Sequence, residues 1–117
     1  MENQDHATIG DGMTQEREAK ILEGAIEKWG ATAQVVVAIE ELSELQKELC
    51  KHARGKDNLE SIADEIADVQ IMLEQMMVLH DCHQVVMEHK AAKLKRLADR
   101  IESAEAALAG KGGKSDA

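Results

Sequence analysis

Two acidic strings are the residues best suited to chemistry. Glu40-Glu41-Leu42-Ser43-Glu44 and Asp64-Glu65-Ile66-Ala67-Asp68 each place carboxylates at i and i+3. On a helix, that spacing makes the two side chains neighbours on one face. At about 100° per residue, Glu41 and Glu44 lie at about −100° and −160° from Leu42, and Glu65 and Asp68 stand the same way to Ile66. Glu40 points elsewhere, but it is adjacent to the group. If the two strings lie on antiparallel helices joined at a turn near Gly55, Glu41 comes level with Asp68 and Glu44 with Glu65. Four carboxylates at one height repel one another, and a divalent cation relieves that repulsion. An all-oxygen donor set suits Mg²⁺, with Mn²⁺ as the alternative. In a chain with 23 acidic residues, a solvated acidic face is the competing reading. A redox di-iron site is disfavoured, because no glutamate is followed three positions later by histidine.

The elements that must carry these residues are helices. The chain has 117 residues, no proline, phenylalanine or tyrosine, and one tryptophan. That composition lacks the aromatic residues of strands and the proline of turns, and it is rich in helix formers. An all-α fold of four helices is predicted. The first spans about Thr14 to Trp29, with Leu22, Ile26 and Trp29 facing the core and Gly30 as its stop. The second begins at a Thr32 cap and runs to about Arg54, with a seam of Val35, Ala38, Leu42, Leu45 and Leu49. Asp57 and Glu60 resemble a capping box for a third helix, from about Asn58 to His80. Its seam is Ile62, Ile66, Val69, Leu73 and Met76. The fourth runs to about Ala109, with Met87, Leu94, Ile101 and Leu108 at seven-residue intervals. The middle of the chain therefore reads as an antiparallel helical hairpin turning at Gly55. Residues 13–109 form the expected domain, and residues 1–12 and 110–117 the expected loose tails. Apolar residues on more than one helix face, such as Val35-Val36-Val37, call for a homodimer or homotetramer.

A net charge of −9 and a pI near 5.0 disfavour a nucleic-acid polymer or an anionic membrane surface as partner. No segment reads as a signal peptide or a membrane span, so a cytoplasmic location is expected. Cys50 and Cys82 are expected to be free thiols, too far apart to pair. His80, Cys82 and His83 lack a second half with zinc-site spacing. Met72 falls beside Asp68 on the acidic face, where it could line a base pocket.

At the acidic strings the sequence resembles the MazG-like all-α nucleoside triphosphate pyrophosphohydrolases, a superfamily that includes the dimeric all-α dUTPases. The shared pattern is E-E-x-x-E, a variable gap, then E-x-x-D. Here it reads Glu40-Glu41-x-x-Glu44, twenty intervening residues, and Glu65-x-x-Asp68. The resemblance extends over about Thr14 to Ile101, including the AIEKWG stretch before the first string and ELCKHARG after it. It implies a four-helix MazG-like bundle that cleaves a nucleoside triphosphate, expected to be a dNTP, into the monophosphate and pyrophosphate. By position, Glu41, Glu44, Glu65 and Asp68 match the metal-binding carboxylates, and Glu40 completes the catalytic set. Lys93 and Arg96 match the basic residues that meet the phosphates, with a solvated helix face as the alternative. Family members often carry an asparagine just before that lysine, where this chain has Ala91 and Ala92. The other functional class consistent with the pattern is a non-catalytic helical dimerisation or interaction module.

Overall fold

The computed structural model describes residues 12–115, with side chains described for residues 12–110. The expected tail residues 1–11 and 116–117 lie outside the described residues. The chain is all-α: α1 spans Gln15–Trp29, α2 Ala31–Ala53, α3 Leu59–His80 and α4 His83–Ser115. No strand occurs among the described residues. The last helix continues six residues past the expected stop at Ala109, taking in residues that read as a tail.

The helix ends follow from local chemistry. Thr14 caps α1, its hydroxyl accepting from Arg17 N–H at 3.1 Å. Glu16 and Glu18 in the first turn and Lys28 in the last complement the helix dipole. A single residue, Gly30, separates α1 from α2. Its φ of 94° and ψ of 151° lie in a region closed to L side chains. Its N–H donates to Ile26 O, and its carbonyl accepts from Gln34 N–H, so it ends one helix and starts the next. Thr32 is thus inside α2 rather than its cap.

The hairpin turn is a Schellman closure. Gly55 N–H donates to His52 O at 2.9 Å, and Lys56 N–H to Lys51 O at 3.1 Å. Gly55 has a φ of 100°, the left-handed conformation this closure needs. The residue before α3 is Asn58, not Asp57, and its side chain makes no capping bond. That side chain is used elsewhere, as described below. The α3–α4 junction, which no glycine or proline marks, falls at Asp81 with a φ of 49°. Aspartate is among the few residues that tolerate this left-handed conformation.

The chain divides into two compact units, one ending at Asp81 and one beginning at Cys82. In the first, α2 and α3 pack along each other as the expected antiparallel hairpin, and α1 packs against both. Gln75, 2% exposed, ties α3 to α1 by donating from its side-chain amide to Leu22 O at 3.3 Å. The second unit is the helix α4.

The packing seam of the hairpin keeps part of the expected one: Val35, Ala38 and Leu45 on α2 and Ile62, Val69 and Met76 on α3 are buried or half-buried. The unexposed positions also include Gln34, Val37, Glu41, Glu48 and Lys51 on α2, Asn58 just before α3, and Glu65, Asp68, Met72, Glu74 and Gln75 on α3. Along α2, Gln34, Ala38, Glu41, Leu45 and Glu48 are spaced by alternating four- and three-residue steps. Leu42, Leu49, Ile66 and Leu73 are instead 41–47% exposed. The only buried apolar side chains among the described residues are Leu22, Ala38, Val69 and Met72. Met72 is therefore part of the core, not the lining of an open pocket. Trp29, expected in the core, is 61% exposed at the end of α1.

Candidate metal centre

Two layers of the hairpin seam are polar on both helices. Nearest the turn, Asn58 is buried, and its side-chain amide donates to Glu48 O at 3.0 Å and to Glu48 Oε1 at 2.8 Å. Lys51 donates to the other oxygen of Glu48 at 3.3 Å. These contacts hold the Glu48 carboxyl below its usual range, the Asn58 hydrogen bond contributing most.

Seven residues along each helix, about 10 Å from that layer, stand the carboxylates. Glu41 from α2 meets Glu65 and Asp68 from α3, and one oxygen of each lies within 4.8 Å of the others. All three are half-buried. Burial, followed by the charge of Asp68, raises the pKa of Glu41. Burial and then Asp68 and Glu41 do the same to Glu65. Glu65 Oε1 is shut off from solvent and has no hydrogen-bond partner.

The structure thus brings together three of the five sequence-predicted carboxylates. Glu44 is exposed and stands outside the triad, although its charge raises both Glu41 and Glu65. Glu40 is exposed and acts on Glu41 alone. The reason is the rotation of the seam. A seam running through Glu41 and Glu48 leaves Glu44 at the rim of the interface rather than in it. Lys93 and Arg96 lie on α4, in the other unit, and both are exposed. Lys93 lines a shallow face of α4 with Val86, His89, Lys90, Leu94 and Leu97; Arg96 is not on that face. Cys50 and Cys82 are free thiols.

The donor set fits a hard divalent cation. Three carboxylates supply oxygen ligands only, and the buried, unpartnered Glu65 oxygen is one that a cation would satisfy. The sequence signal missed was Asn58. Read as a helix-start residue, it gives no hint that its amide reaches back across the hairpin.

No helix among the described residues is long and apolar enough to cross a membrane. No protein-family model matches the chain, and comparison with curated proteins and with solved structures finds no significant match.

Proposed function

We propose that this chain is a metal-dependent nucleotide pyrophosphohydrolase that converts a nucleoside triphosphate, preferentially a dNTP, into the monophosphate and pyrophosphate. The observation that carries the reading is the convergence of Glu41, Glu65 and Asp68 across the α2–α3 hairpin, at the residues that carry the MazG-like resemblance. These three would hold Mg²⁺, or Mn²⁺ in its place. The ion supplies neutralisation of the triphosphate and a more acidic bound water. Glu44 and Glu40, exposed at the rim, orient and deprotonate water from the solvent side. By the resemblance, Lys93 and Arg96 are the candidate phosphate ligands.

The test is pyrophosphate release from a panel of dNTPs and NTPs with Mg²⁺, Mn²⁺ or EDTA. Monophosphate plus pyrophosphate, formed only with metal, is the expected result. Orthophosphate would point to cleavage of a different bond. No turnover, with no shift in melting temperature on adding metal, would leave the interaction module as the better reading.

The active form is proposed to be a homodimer or homotetramer in the cytoplasm. In support, Ile39, Leu42 and Leu49 on α2 and Ile66 and Leu73 on α3 are all at least 41% exposed. A core of four apolar side chains is small beside that uncovered surface. Light scattering across a concentration series should give a mass that is a multiple of 12.8 kDa. A monomer at all concentrations would sink the assembly proposal.

A further inference from the structure

A hairpin whose central layer sets glutamate against glutamate needs something else to fix its register. The repulsion among Glu41, Glu65 and Asp68 favours separation or sliding of the two helices. The apolar layers do not prevent this. Ala38, Leu45, Ile62 and Val69 can pack acceptably after a shift, because apolar contacts are non-directional. The Asn58–Glu48 layer is different in kind. Its amide makes two hydrogen bonds to one residue of the opposite helix, one to the backbone carbonyl and one to the side chain. Asn58 is 7% exposed, so in any other register that amide would lose its partners while buried. A single buried polar residue in a helical seam is the best-attested device for choosing one register over others.

We infer that Asn58 and Glu48 are positioning residues that set the α2–α3 register and thereby hold Glu41 beside Glu65 and Asp68. The geometry is direct. The polar layer and the acidic layer are two helical turns apart on both helices, so fixing one fixes the other. Neither Asn58 nor Glu48 belongs to the carboxylate triad. The register claim stands without a metal, whereas its consequence for metal affinity rests on the proposed function.

The test places nitroxides at Ser43→Cys and Ala67→Cys in the full chain carrying Cys50→Ser and Cys82→Ser, both labelled sites being exposed. The inter-label distance distribution is measured for Asn58→Ala, Glu48→Ala, Glu48→Gln and Gly55→Ala, alongside Mn²⁺ affinity. Circular dichroism verifies that each is helical. Asn58→Ala removes both bonds and Glu48→Ala only one, so the second keeps the test informative should the first unfold. Asn58→Ala and Glu48→Ala should broaden the distribution or shift it by about 5 Å, one helical turn. Mn²⁺ affinity should fall roughly 10- to 100-fold, the usual effect of losing a group that orients ligands. Glu48→Gln retains an acceptor for the amide and should preserve both readouts. Gly55→Ala strains the turn at a φ of 100° without touching the polar layer, so it should lose stability but keep the distance. Unchanged distances in both alanine variants, or an equal change in Gly55→Ala, would overturn the inference. A changed distance with no Mn²⁺ binding by the parent chain supports the register role and sinks the metal reading instead.

Discussion

In Glu41→Gln, turnover should fall by more than about a hundredfold while the metal-free fold becomes more stable. The first half follows from ligand removal. Even groups that merely orient a metal ligand cost about 10- to 100-fold when lost, so a direct ligand should cost more. The second half follows from electrostatics. Glu41 is half-buried against Asp68 and Glu65, and its pKa is raised because its charged form is disfavoured there. Glutamine keeps the shape but removes the charge. The melting temperature in EDTA should rise by on the order of a few degrees, the scale set by roughly 1 kcal/mol in a domain of this size. Glu44→Gln, at the rim, removes a weaker source of the same repulsion and should raise the melting temperature in EDTA by less. A Glu41→Gln protein that retained full activity would remove this residue from the site. Lost activity with a lowered melting temperature would mean the carboxylate is a structural support.

Mg²⁺ should invert the dependence of stability on pH. Glu41 and Glu65 have folded-state pKa values above the ordinary 4.5, so the folded chain binds more protons than the unfolded one. Their stabilising contribution is fully present below the ordinary value and is lost as pH rises through the raised ones. Glu48 has the opposite sign. Its folded pKa is lowered, so its contribution is present above the ordinary value and lost as pH falls through the lowered one. In EDTA, the three contributions together are largest near the ordinary carboxylate value, and thermal stability should decline as pH rises through the raised values of Glu41 and Glu65. Mg²⁺ competes with protons for the same oxygens, so its effect should grow over the range where EDTA samples weaken. At a hundredfold excess over Kd, the gain is about 2.7 kcal/mol, or roughly 10 °C and more. Differential scanning calorimetry between pH 4 and 8 (buffer range chosen to bracket the ordinary values of both carboxylates and histidine) reads both arms. Parallel curves with and without Mg²⁺ would mean that no cation binds at the triad.

The sequence was most legible where chemistry is local. The i,i+3 spacing of Glu65 and Asp68 put two carboxylates on one face of α3, and they are together there. Gly30 and Gly55 as helix stops were readable because each answers to one or two backbone groups, whereas the cap of α1, Thr14, was read only as the start of that helix. The facing surfaces of α2 and α3 were not readable in the same way. Both helices carry more than one apolar stripe, and periodicity alone does not say which stripe meets the neighbouring helix. Leu42, Leu49, Ile66 and Leu73 are the more apolar choice, yet the hairpin closes on a seam containing Ala38, Glu41 and Glu48. The bonds from the Asn58 amide to Glu48 favour the seam that contains Glu41 and Glu48. The shift of seam also separates Glu44 from the other three carboxylates, which spacing alone grouped as four.

Trp29 gives the chain an unusual optical property. With no tyrosine or phenylalanine, it is the sole source of ultraviolet fluorescence, and it stands 61% exposed at the end of α1. Unfolding a single chain moves this indole from water to water, so its emission wavelength is a poor gauge of folding. A blue shift requires something beyond the described fold to cover the ring. Emission colour in this molecule thus reports on what covers the end of α1, while loss of helix must be followed by circular dichroism.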